Sequence, residues 1–261
     1  MNLNLKNKVM IVTGGSSGIG ESIVREAAQE GAIPVIVNRS RDRGEKLQNE
    51  LRESGHQCLF VQADLSQVEA CKKAIEETVK AFGKIDVLVN NAGFNDGVGL
   101  ESGSPDQFMS SLQSNVFHYY TMAHYALPEL KKTKGSIVNI SSKTAVTGQG
   151  GTSGYIASKA GQLGLTREWA VDLLPYGIRV NAVLPAEVMT PMYREWINTY
   201  DNPEEKLSKI TRRIPLENRM TTGEEIAYTV LFLASDKSSH TTGQYLFPDG
   251  GYTHLDRAIG T

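Results

Sequence analysis

Short aliphatic and β-branched runs recur along the chain, each followed by an amphipathic stretch. This rhythm restricts the fold more than any other feature. Val9-Met10-Ile11-Val12, Val35-Ile36-Val37, Leu59-Phe60-Val61, Val87-Leu88-Val89 and Ile137-Val138-Asn139-Ile140 are candidate strands. Ile178-Arg179-Val180-Asn181-Ala182-Val183 and Gln244-Tyr245-Leu246-Phe247 follow the same pattern. Runs apolar on both faces suit parallel strands covered by helices on each side. Residues 19–30, 67–82, 105–130, 155–174 and 223–233 read as helices, and Gly31, Gly83 and Gly177 stand where helices stop. Strand–helix alternation throughout predicts an α/β fold with a doubly wound sheet, in one domain spanning 1–261. The stretch 189–218 departs from the rhythm. It reads as a helical insertion after the sixth strand, at the sheet end where ligands bind in such folds.

Charge and cysteine content narrow the function. A net charge of −2 over 261 residues argues against a nucleic-acid partner, whose binders carry a basic excess. Cys58 and Cys71 form no CxxC pair and no Cys/His cluster, so no metal site is expected. The longest apolar runs are far shorter than the roughly 20 residues needed to span a bilayer. The N-terminal stretch lacks the long apolar region of a signal peptide. The expectation is a cytoplasmic protein with a small-molecule substrate and no membrane partner.

Two motifs carry chemistry. Thr13-Gly14-Gly15-Ser16-Ser17-Gly18-Ile19-Gly20 lies between the first strand and the first helix. Glycines there allow a tight turn and close approach to a pyrophosphate, while free N–H groups and the positive helix end face its charge. Tyr155 and Lys159 are four residues apart, and Ser142 ends the fifth strand. A tyrosine hydroxyl titrates near pH 10, too high for a base at neutral pH, so it needs a cation nearby. Lys159 on the same helix face would favour the phenolate. Ser142 could hold a substrate oxygen while its charge changes.

The stretch Thr13 to Gly20, Asn90-Asn91-Ala92-Gly93, Ser142, Tyr155-x-x-x-Lys159 and the turn from Pro185 to Thr190 together resemble the short-chain dehydrogenase/reductase family. The resemblance covers essentially the whole chain. It implies a single Rossmann-type domain with a seven-stranded parallel sheet, assembled as homodimers or homotetramers. It also implies a nicotinamide cofactor on Gly14, Ser16, Ser17, Gly18, Ile19 and Gly20. Asp64 and Leu65 would contact the adenine, and Asn91, Ala92 and Gly93 would support the adenosine side. Tyr155 and Lys159 would reach the nicotinamide ribose, and Val188 and Thr190 its carboxamide. Asn115 matches the fourth catalytic member, which kinks its helix and orders a water in a proton relay ending at Lys159. The family's usual Pro-Gly reads Pro185-Ala186 here, which restricts that turn's backbone. Cofactor choice is read after the second strand, where Val37-Asn38-Arg39-Ser40 offers no acid to grip a ribose. Arg39 could clamp a 2′-phosphate, so NADP is favoured and NAD stays open.

The residues available to a pocket are polar: Asn95, Asp96, Lys143, Gln149, Thr152, Glu187, Tyr193, Arg194 and Trp196. Such groups suit a polyol, whose hydroxyls need partners when buried. Stretches 141–150, 167–171, 185–191 and 249–257 resemble the L-fucose dehydrogenase branch. That resemblance implies oxidation of the anomeric hydroxyl of L-fucose, or a sugar of like stereochemistry, to the lactone. Asn95, Ser142, Lys143, Gln149, Tyr155, Glu187 and Trp196 are the substrate candidates, and the tail 254–257 is a candidate cover for a pocket. The alternatives are a 3-oxoacyl or other carbonyl reductase, and a nucleotide-binding sensor without turnover.

Overall fold

A computed structural model describes residues 2–255. Seven strands form one parallel sheet: β1 (Val9–Thr13), β2 (Ile33–Asn38), β3 (Leu59–Gln62), β4 (Val87–Asn90), β5 (Ser136–Ile140), β6 (Arg179–Val183) and β7 (Tyr245–Leu246). Their order is β3-β2-β1-β4-β5-β6-β7. The chain therefore reverses its direction of travel across the sheet between β1 and β4. That reversal opens a crevice at the carboxyl ends of the two strands. Register is set by pairs such as Ile11 with Val35 on one side of β1 and Ile11 with Leu88 on the other.

Side chains alternate across each strand and so feed two cores. Met10, Val12, Ile36, Val89 and Val138 point into one, packed against Ile23 and Ala27 of α1 (Gly18–Gln29), Leu47 of α2 (Arg41–Glu53) and Val230 of α10 (Gly223–Ala234). Val9, Ile11, Val35, Leu88 and Ile137 point into the other. They meet Ile75 of α3 (Val68–Phe82), Met122 of α5 (His118–Thr133) and Trp169 of α7 (Ser153–Asp172). Full burial of each such side chain contributes about 1.5–3 kcal/mol, so the sheet is held from both faces.

The remaining helices are α4 (Pro105–Leu112), α6 (Thr144–Thr147), α8 (Pro191–Ile197) and α9 (Pro203–Thr211). The last two make up the stretch read as a helical insertion. Each starts with proline at its first turn behind a capping side chain, Thr190 or Asn202. The helix expected over 105–130 runs on to Thr133 and carries a π-turn at Gln113–Phe117, where the buried Asn115 is the residue expected to kink it. Helix α2 follows β2 as the strand–helix alternation implies, and it buries only Gly44, Leu47 and Leu51 beneath a dense charge pattern. Among the described residues no helix is long and apolar enough to cross a membrane.

At the amino ends of the strands, opposite the crevice, Asp86 is buried beside β4. Its carboxylate accepts the Val9 N–H at 2.8 Å and pairs with Lys84 at 2.9 Å and Lys8 at 3.6 Å. The group locks the start of β1 to the approach to β4. Asp86→Ala strands a buried backbone donor and should cost about 1–3 kcal/mol, read as a lower urea midpoint at unchanged slope. Asp86→Asn keeps an acceptor and should cost less. Equal losses for the two would contradict this role.

Candidate active site

The crevice between β1 and β4 is built around the glycine turn. Gly14 and Gly18 take φ +66° and +55°, a left-handed backbone that other residues resist. A side chain at Gly20 would run into the Gly14 carbonyl and Asn91, so α1 and the turn can pack only without one. No side chain caps α1 at Ser17, which leaves first-turn N–H groups available to an anion. Thr13 ties the turn to the next wall: its Oγ1 accepts the Asn91 N–H at 2.8 Å and the Ala92 N–H at 3.1 Å. Asn91 Nδ2 returns a bond to the Thr13 carbonyl at 2.9 Å. Ser16 is buried and bonded to Asn38, which stands at the end of β2 where an acid was looked for. Arg39 is exposed and lies close enough to Asp64 to lower its carboxyl, though the larger cause is bonding from Ser66. Leu65 packs partly buried on the core beside that group.

The opposite side of the crevice is also close. A cavity of about 370 Å³ joins Gly18 and Ile19 to Val188, Thr190 and Arg194. Thr190 lies directly under Gly18, where a Cβ would meet its Cγ2 at 3.1 Å. Its Oγ1 accepts the Tyr193 N–H at 3.2 Å as the cap of α8. Val188 is pinned by a bridge to Thr221. The turn with Ala186 in place of glycine thus retains a defined path. These residues fit a dinucleotide: the cradle has no room for side chains and its helix end is uncapped.

The catalytic candidates converge on the end of β5. Lys159 is only 4% exposed, and its Nζ donates to the Ile140 carbonyl at 2.8 Å. Burial pulls its pKa down to about 7. Tyr155 has its ring centroid 5.6 Å from that nitrogen. Burial pushes its phenol up to about 12, against the pull of a hydrogen bond with Ser142. Ser142 Oγ in turn accepts from Thr144, from Oγ1 at 2.9 Å and from N–H at 3.2 Å. The expected spacing is therefore present, but the expected tuning is not expressed in the chain by itself. Burial raises the phenol and lowers the neighbouring ammonium, so each group is shifted toward its uncharged form.

Asn115 braces this wall with both side-chain atoms and its backbone carbonyl. Its Oδ1 accepts the Phe94 N–H at 2.8 Å, just past Gly93, and its Nδ2 donates to the Ser111 carbonyl at 3.1 Å. Its own carbonyl, freed by the π-turn, accepts from Gln162 Nε2 at 2.7 Å. Sequence reading missed Gln162, Tyr119 and Thr144. Gln162 falls one turn beyond Lys159 on α7, a position where an amide looks like an ordinary surface residue, yet it is fully buried. Tyr119 donates to the same Ile140 carbonyl as Lys159, at 2.9 Å.

On the substrate side the candidates divide. Lys143 and Glu187 form a mostly enclosed ion pair, with side chains 11% and 15% exposed. Tyr252 lies over Lys143, its ring centroid 3.5 Å from the ammonium. Burial and the Glu187 carboxylate push the Tyr193 phenol upward. Trp196 stacks edge-on against Tyr193 at 5.0 Å and is partly exposed. Gln149 and Asn95 are exposed on loops, and Asn95 Oδ1 serves the turn by accepting the Gly97 N–H. His254 packs edge-on against Phe247 at 4.4 Å. Residues 256 and 257 of the expected cover lie outside the described residues. No metal-ligand cluster occurs among the described residues.

His118 lies buried below Lys159, tilted against Tyr119 at 4.9 Å. Burial first, then Lys159, pull its pKa down to about 4, against the backbone of Ser114 and Ala92. Neutral imidazole is the folded form. Its contribution to stability is present above the unfolded pKa of 6.5 and is lost as pH falls toward about 4. Urea unfolding between pH 7 and pH 4 should show a steeper loss for the wild type than for His118→Asn. Parallel losses would contradict the assignment.

A family model described as Enoyl-(Acyl carrier protein) reductase matches residues 14–253. The chain is 34% identical over 252 residues to L-fucose dehydrogenase of Bos taurus, covering 96% of this chain and 91% of that protein. It is 36% identical over 250 residues to the 3-oxoacyl-[acyl-carrier-protein] reductase FabG of Thermotoga maritima, covering 95% and 99%. A solved structure, the Cj0485 dehydrogenase, superposes with a TM-score of 0.94 at 48% identity, covering 99% of both chains. With the sheet order, the glycine turn and the Ser142, Tyr155 and Lys159 wall, these matches place the chain in the short-chain dehydrogenase/reductase family, as an NAD(P)-dependent oxidoreductase acting on CH–OH groups.

Proposed function

We propose that the enzyme oxidises the anomeric hydroxyl of a neutral sugar of the L-fucose type to its lactone. One observation carries the choice of substrate class: the residue after Ser142 is a lysine held in an enclosed ion pair with Glu187, where an apolar lining would suit an acyl chain. Similarity to L-fucose dehydrogenase supports the same reading. Comparable similarity to FabG, 36% against 34%, supports the second reading, a carbonyl reductase.

In the proposed reaction NAD(P), when bound, supplies the hydride acceptor. Tyr155 takes the proton from the anomeric hydroxyl as the C–H bond breaks and the C=O bond forms. Ser142 donates to the oxygen throughout. Lys159, on α7 with its Nζ at the Ile140 carbonyl, stabilises the phenolate from which Tyr155 starts and relays onward the proton that Tyr155 takes up. Asn115 positions the wall between Phe94 and α7. Arg39, exposed just after β2, would pair with a 2′-phosphate and so favour NADP, with NAD usable. Exposed apolar side chains on α4, α5, α7 and the π-turn, among them Met109, Tyr120, Val171 and Phe117, support assembly as homodimers or homotetramers.

Nicotinamide absorbance with L-fucose, L-galactose and D-arabinose tests the proposal. L-Fucose should give turnover, and Tyr155→Phe should lower it by about 10²–10⁴-fold. Arg39→Ala should reduce the NADP-to-NAD preference by about tenfold, the scale of one charge-assisted contact. No turnover of any aldose, with NADPH consumed by ketones instead, would establish the carbonyl-reductase reading.

A further inference from the structure

The Lys143–Glu187 pair has an arrangement that the sugar reading alone does not explain. Its members come from two loops at the carboxyl end of the sheet. Lys143 follows the end of β5 and is anchored by its N–H to the Pro185 carbonyl at 3.0 Å. Glu187 follows the end of β6 and accepts, through its own carbonyl, the Thr221 N–H at 3.1 Å. Tyr252 from the turn after β7 covers the ammonium, and Tyr193 from α8 borders the carboxylate. Asp249 fixes that turn by accepting the Gly251 and Thr253 N–H groups at 2.8 and 2.9 Å. Four separate segments thus hold one donor and one acceptor side by side, next in sequence to Ser142.

We propose that this pair reads two adjacent hydroxyl groups of an uncharged polyol, with Tyr193 and Tyr252 as the walls of the subsite. The proposal rests on the sugar reading and sharpens it. An ammonium offers three donors and a carboxylate only acceptor lone pairs. A vicinal diol answers both: one hydroxyl accepts from Lys143 and the other donates to Glu187. Because the charges cancel, the pair gives no net attraction to a carboxylate or phosphate. A sugar acid or sugar phosphate would have to break the pair and leave Glu187 facing its own charge sign. The two tyrosines border the pair and help keep it from bulk water, which strengthens its bonds to a ligand.

Substrate and protein changes combined test the subsite. The aldose turned over best by the wild type is compared with its monodeoxy analogues, in the wild type and in the double variant Lys143→Met/Glu187→Leu. Replacing both members avoids an unpaired buried charge. Removal of either of two neighbouring hydroxyls should lower wild-type kcat/KM by about tenfold or more, the effect of a polar site left unmatched. In the double variant the same removals should change it by less than about threefold, the signature of coupled partners. Cofactor affinity, read by fluorescence quenching, should match the wild type and show that the fold and crevice persist. Turnover of aldoses with undiminished discrimination in the double variant overturns the subsite and leaves the sugar reading standing. Preference of the wild type for a uronate or sugar phosphate over the neutral aldose overturns it as well. Absence of any aldose turnover overturns both.

Discussion

The buried ammonium of Lys159 is the constraint around which the crevice is organised. A charge taken out of water is tolerated only with close partners, and here the fixed partner is the last carbonyl of β5. Tyr119 shares that carbonyl, and Ser141 Oγ donates to the carbonyl of Lys159 itself at 2.8 Å. The end of β5 and the first turns of α7 are therefore tied together from both sides. The lowering of Lys159 toward 7 and the rise of the Tyr155 phenol have one origin, a dry wall. The same dryness would magnify any positive charge brought beside them.

The crevice also links its two ends mechanically. Thr190 touches the glycine turn with its methyl group and caps α8 with its hydroxyl. Helix α8 carries Tyr193, which borders Glu187. One residue therefore connects the pyrophosphate cradle to the substrate wall. On the other side Thr13 and Asn115 do similar work, the first joining β1 to Asn91, the second joining the π-turn to Phe94. Hydrogen bonds between backbone and short side chains set these distances, so the site is assembled on rigid elements.

Much of this was legible in the sequence because it is local. Strand runs buried on both faces, the glycine turn and the Tyr155–Lys159 spacing are properties of neighbouring residues, and the alternation of strands and helices gives the doubly wound parallel sheet but not its order 3-2-1-4-5-6-7. What stayed hidden depends on distant partners. Nothing near Lys143 announces Glu187, 44 positions away, nor Tyr252 above them both. Gln162 looks like surface until the π-turn frees the Asn115 carbonyl for it. Asn95 and Gln149, candidates by loop position, are exposed on those loops.

The central claim is that Tyr155 becomes a usable base only when a positive charge joins the dry wall. The direct measurement is a carbon NMR titration of the chain labelled at tyrosine Cζ, with the Tyr155 signal identified by its loss in Tyr155→Phe. In the chain alone the signal should titrate near pH 12. With NADP⁺ bound it should titrate several units lower, toward neutrality. An unchanged titration with the oxidised cofactor bound would contradict the account and move the proton-accepting role away from Tyr155.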